Sequence, residues 1–195
     1  MRKVEFPPDG HRIIANPVAI VQTFNKYASV VPAKHAFATA LHESSYSTNE
    51  IDTEPPDADG HCFVSKGIYQ LSDEEAKEVD FPDANLLDLE DSSCIFALLC
   101  ERRLGAIISA AGLIPQALPD DVWAMLSVAH NQGLSACLKS IKLHGLDWEA
   151  YVDRNRAEAA AAGDPDKIRW WESVFAYGHD CMTGGPDWTE ALAAL

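Results

Sequence analysis

Glu43 closes a stretch whose residue types and spacing suit acid–base chemistry. Ala36 to Tyr46 reads Ala-Phe-Ala-Thr-Ala-Leu-His-Glu-Ser-Ser-Tyr. Phe37, Ala40, Leu41 and Ser44 fall at helical spacing, which predicts a buried helix with Glu43 in its last turn. A carboxyl there lies at the negative end of the helix dipole and loses water to apolar neighbours. Both effects oppose ionisation and suit a proton donor. Metal chemistry is the competing use of this region. His35 and His42 lie two helical turns apart, with His61 and Cys62 further on. No pair among them has the tight spacing of a zinc motif, so no metal site is expected. Asp57-Ala58-Asp59-Gly60 matches part of a calcium loop but lacks the closing glutamate, which predicts a solvated acidic loop instead.

Two further motifs follow Glu43-Ser44-Ser45-Tyr46 in the chain, Gly67-Ile68-Tyr69-Gln70 and Ala129-His130-Asn131-Gln132-Gly133. In order and approximate separation the three resemble the lysozyme-like domain of soluble lytic transglycosylases and goose-type lysozymes, over roughly residues 17–145. The resemblance implies an all-α, mainly helical lysozyme-like fold with a small irregular or hairpin insertion. It also implies cleavage of the β-1,4 bond between MurNAc and GlcNAc in peptidoglycan, with no cofactor. Most glycosidases use two carboxylates; lytic transglycosylases use one, which protonates the leaving oxygen and then takes a proton from the substrate's C6 hydroxyl, leaving a 1,6-anhydro end. Glu43 is the residue that fits this role.

The resemblance assigns the remaining site residues as substrate contacts. Ser44 would hold Glu43 or a sugar hydroxyl, Gln70 would lie near the sugar and the glutamate, and Tyr69 would offer a ring to the cleft. Asn131 matches an asparagine that contacts the N-acetyl group, and Tyr177 matches a late tyrosine set against the glutamate. His130 stands where the family has tyrosine, making that contact smaller, polar and sensitive to pH. Two alternatives stay open. One is a goose-type hydrolase, or a chitinase-like variant, in which Asp52 or Asp57 would position water. The other is a non-catalytic glycan-binding or structural module of a phage particle or secretion assembly, which the acidity and His130 favour.

The elements that must position these residues are mostly helical by pattern. Residues 1–15 carry Pro7, Pro8 and Gly10 and read as a loose N-terminal arm. The lysozyme-like domain is expected over 16–146, and a helical extension packed on it over 147–195. Asn16-Pro17 starts a helix to about Val30, and Val31-Pro32 begins the one bearing Glu43. From Ser47 to Lys66 periodicity vanishes, so Asp52, Glu54, Asp57 and Asp59 are expected to be solvated. Ser72 to Glu75 has the capping-box form, predicting a helix from Asp73 to about Val79. Leu89 to Ala111 is the expected central helix. Further helices are expected at Asp121–Ala129, Gly133–His144, Asp147–Ala162 and Asp166–Tyr177, before a short tail. Trp170, Trp171, Phe175 and Tyr177 read as a packing face rather than a sugar platform.

Composition sets the outer bounds. A formal charge of -15 argues against nucleic acid as a partner, since phosphate binding needs clustered Lys and Arg. It also opposes long-range attraction to an anionic cell wall. The five cysteines include no Cys-x-x-Cys pair, which predicts reduced, mostly buried thiols. No apolar run is long enough to span a bilayer, and Met1 to Gly10 has no signal-peptide core. A wall-degrading protein of this kind would be made in the cytoplasm and reach its substrate at lysis, on a phage particle or by non-classical export.

Overall fold

The computed structural model describes residues 3–57 and 59–193. In chain order the elements are β1 (Lys3–Glu5), α1 (Pro17–Phe24), α2 (Ala33–Ser44), β2 (Ile51–Thr53), β3 (Val64–Lys66), α3 (Asp73–Glu78) and α4 (Leu89–Ala111). Then follow α5 (Asp121–Gln132), α6 (Leu134–His144), α7 (Trp148–Ala161), α8 (Pro165–Thr183) and α9 (Trp188–Ala193). The fold is mainly helical, as expected. The elements form two compact units, one ending at Glu101 and resumed from Asp187, the other Arg102–Pro186. The division therefore falls inside α4, and the junction expected near residue 146 lies within the second unit.

In the first unit, Asn16 caps α1 by accepting the Val18 amide at 2.8 Å, with Pro17 in the first turn. The helix ends at Phe24 and does not reach Val30. The residues beyond it are taken by α4 instead: Lys26 and Tyr27 bind the Glu90 carboxylate, and the Ser29 and Val30 amides each donate to Glu101 at 2.8 Å. Once those groups have partners outside the helix, nothing is gained by another turn. Ile20, Phe24, Phe37, Ile95, Phe96 and Leu99 are fully buried and form the core. Trp188 of α9 sets its ring 5.6 Å from Phe37, so what reads as a tail is a helix seated on α2's aromatic face.

Residues 3–15, expected as part of a loose arm, are not loose. β1 pairs antiparallel with β2, and β2 with β3, in the order β1-β2-β3. Beyond β1, the buried Asn49 side chain donates to the carbonyls of Pro7 (2.8 Å) and His11 (2.7 Å) and accepts the Ile13 amide (2.8 Å). Arg12 meets the buried Glu50 at 3.2 Å. Proline and glycine prevent the arm from building structure of its own, and partners 36 to 42 residues away supply it.

The second unit is built from α5 to α8 and the end of α4. Asp147 and Asp164 cap α7 and α8 through the Ala150 and Lys167 amides, each at 2.9 Å. Gly178 lets α8 lie directly against the buried Trp148, since a Cβ there would meet the ring at 2.7 Å. α8 runs on past Tyr177 to Thr183 and stops at Gly184, whose φ of 98° lies in the left-handed region. Trp171 and Tyr177 are buried, with Phe175 5.0 Å from Trp148, so these aromatics pack the unit's interior. No described helix is long and apolar enough to cross a membrane.

Candidate active site around Glu43

α2 is buried on nearly all sides and ends abruptly just past Glu43. Ser45 and Tyr46 both adopt left-handed backbone, with φ of 51° and 65°, and their amides close back on Leu41 and Ala40. Neither is glycine, so each conformation costs roughly 1 kcal/mol and persists because the surroundings impose it. Glu43 is left half-buried in the final turn. Ser44 is buried, and its hydroxyl donates to the Ala40 carbonyl at 3.2 Å and the Ile68 carbonyl at 2.9 Å. That second bond ties the end of α2 to the Gly67–Gln70 turn, joining two motifs that lie 24 residues apart. The Ser44 hydroxyl thus serves the backbone and not Glu43 or a sugar.

The turn itself depends on Gly67. With φ of 73°, a Cβ there would fall 1.9 Å from the Leu86 carbonyl oxygen, so only glycine admits this approach. Gln70 is 7% exposed, with left-handed φ of 48°. Its amide donates to the carbonyls of Gly67 (2.8 Å) and Glu50 (3.4 Å), and its oxygen accepts from Ser65 at 2.8 Å. The side chain is committed to bracing the turn. Tyr69 is 0% exposed, stacked on Phe96 at 4.3 Å with its hydroxyl 3.4 Å from Ser93. Burial pushes its phenol well above the usual range. A ring sealed on all sides presents no face to a sugar, which corrects the expectation for this residue.

The acidic insertion is not uniformly solvated. Glu54, Asp57 and Asp59 are exposed, and Asp57 accepts the amides of Asp59 and His61 at 2.9 Å each. Asp52, by contrast, is 2% exposed. It stands on the central strand between Val4 and Ser65, and the strand's pleat turns it inward together with Ser65. A buried polar group of Glu50, Asp52, Ser65 and Gln70 therefore lies under the sheet, where the expectation was free carboxylates. Of these four, the motifs point only to Gln70; no periodic signal marks the others.

His130, Asn131 and Tyr177 belong to the second unit. His130 and Asn131 sit in the last turn of α5, where the buried Arg103 side chain contacts His130 Nδ1 at 3.2 Å and Gln132 donates to the exposed Asn131. The charged run Glu101-Arg102-Arg103 predicts an exposed side of α4, but Arg103 is buried against this turn. Tyr177 is buried in α8. His35, weighed as a metal ligand, lies fully buried with its ring stacked 6.0 Å from Phe96. Among the described residues no three His, Cys, Asp or Glu side chains gather closely enough to hold a metal ion. Cys100, Cys137 and Cys181 are buried thiols, and burial raises Cys137 to about 12.

No family model matches the chain, and no curated protein or solved structure matches it.

Proposed function

We propose that this chain carries a lysozyme-like domain that cleaves peptidoglycan glycan strands as a lytic transglycosylase, with Glu43 as its acid and base. The observation that carries the reading is the Ser44 hydroxyl bond to the Ile68 carbonyl, which joins the Glu-Ser helix end to the Gly-Ile-Tyr-Gln turn. Two resemblances found separately in sequence become one local structure. The left-handed residues Ser45, Tyr46 and Gln70 add support, because imposed backbone strain concentrates at functional sites.

In the reaction Glu43 donates its proton to the leaving O4 of GlcNAc as the C1–O4 bond of MurNAc breaks. The resulting carboxylate takes the proton of the MurNAc C6 hydroxyl while O6 bonds to C1. The proton lost in the first step is recovered in the second, and no water is consumed. Ser44, Tyr69 and Gln70 act on this chemistry from beneath, by fixing the end of α2 and the turn against it.

One observation favours a hydrolytic variant. Asp52 is held rigidly on a central strand and is not adrift in a loop, so a second carboxylate with structural support is present. Products separate the two readings. Mass spectrometry of digested cell walls is expected to show 1,6-anhydro ends, with Glu43→Gln lowering activity at least about a hundredfold, the low end of general acid catalysis. Reducing ends throughout, with activity lost in a folded Asp52→Asn variant, would establish hydrolysis. No release by the wild-type protein would leave a non-catalytic glycan-binding module.

A further inference from the structure

A cavity of about 220 Å³ lies in the second unit between α6 and α7, remote in sequence from Glu43 and unused by the proposed reaction. Its lining is polar in an unusual way. Ser140 is 2% exposed, yet its hydroxyl has no hydrogen-bond partner among the described residues. Other buried hydroxyls on helices satisfy themselves: Thr39 donates to the His35 carbonyl at 2.9 Å, and Ser127 to the Ala124 carbonyl at 2.7 Å. Ser140 does not bond back to its own helix. One turn further along the same face, the buried Nε2 of His144 also lacks a partner among the described residues. Buried polar groups are almost always satisfied, so two such groups lining one cavity mark a place for a polar ligand.

Charge decides which kind. Lys139 and Arg154 both line the cavity, against the single carboxylate of Glu158. Glu158 holds only the Arg154 Nε, at 3.0 Å, in an ion pair that is largely exposed. In a chain of net charge -15, a pocket lined by two cations and one anion is a local reversal of sign. Tyr151 adds a hydroxyl that burial, assisted by the nearby Cys137, keeps protonated. We infer that this cavity binds a small oxyanion, a phosphate or a carboxylate, through the Ser140 hydroxyl, His144 Nε2 and the cationic ends of Lys139 and Arg154. Planar or tetrahedral oxygens suit this set, since every group offered can donate a hydrogen bond.

The test is amide NMR of the whole protein titrated with inorganic phosphate and, separately, with sodium acetate, against sodium chloride at matched ionic strength. Saturable shifts confined to residues of α6 and α7 are expected for one of the two anions. Phosphate alone would identify a phosphoryl ligand, and acetate a carboxylate ligand; either supports the site. Ser140→Ala is expected to weaken binding roughly tenfold, as for one charge-assisted hydrogen bond. Arg154→Gln, on an exposed side chain that carries little of the fold, is expected to do the same and guards against misfolding in the first variant. No saturable shift with either anion, or shifts unchanged in both variants, would overturn the inference and leave only surface screening.

Discussion

At the scale of single residues, the site rests on a few positions that tolerate no other side chain. Gly67 is the sharpest. Its φ of 73° alone would strain any other residue, and a Cβ placed 1.9 Å from the Leu86 carbonyl forces the backbone apart. Gly67→Ala is therefore expected to cost about 2–4 kcal/mol, in the range of severe overpacking with backbone strain. Urea denaturation measures it directly; a loss below about 0.5 kcal/mol, the range of neutral surface changes, would mean that the 85–88 segment moves freely aside. Because Gly67 opens the turn that Ser44 binds, activity should fall with stability in this variant. In Glu43→Gln activity should fall alone.

At the scale of elements, α1 begins by local chemistry and ends by distant partners. Glu101 of α4 shows the second case. Burial alone would raise its carboxyl, but the amides of Val30, Ser29 and Val31 with the Ser29 hydroxyl outweigh that and hold it below the usual carboxylate range. A group with a lowered folded-state pKa contributes stability above its unfolded value, near 4.3, and loses it as pH falls through the folded value. Glu101→Gln is expected to cost roughly 1 kcal/mol at neutral pH, discounted for partial exposure. The difference from wild type should close below about pH 4. Denaturation midpoints at neutral and acidic pH check this; a gap that persists unchanged in acid would contradict the charge-based account.

The same contrast explains what was legible in advance. Asn16-Pro17 and Ser72 with Glu75 announce their helices because a cap is made within three residues. The end of α1 is not announced, since Glu90 and Glu101 that terminate it lie 63 to 72 residues away. β1 has no signal of its own and exists as the partner of β2. With no periodicity from Ser47 to Lys66, Asp52 is expected to be solvated. The strand turns it in, because Ser65 opposite and Gln70 beneath form a polar interior that no local pattern encodes. The Glu43–Ser44 and Gly67–Gln70 motifs were legible as positions, but the burial of Tyr69 and Gln70 was not, since burial depends on Phe96 and Ser65 elsewhere in the chain.

At the scale of the whole molecule, thirty acidic residues against fifteen basic ones dominate the long-range field. If the substrate is an anionic wall, encounter is slowed by repulsion that salt screens, with a Debye length of about 8 Å near 0.15 M. Lysis of purified walls is therefore expected to accelerate as sodium chloride rises from about 0.01 M to 0.15 M. A rate that falls over that range would point to a cationic surface steering the substrate.

The first unit is discontinuous in the chain: it is left at Glu101 and completed only from Asp187, where Trp188 covers Phe37. On the ribosome this reverses the usual order of maturation. All residues of the second unit have been synthesised by Pro186, while the unit begun first still lacks its last helix. Phe37 and the face of α2 that leads to Glu43 then wait uncovered through the making of 85 intervening residues, 102 to 186. The nascent chain thus has its candidate acid in place early and its supporting helix last, and any pause late in translation prolongs the exposure of that aromatic face.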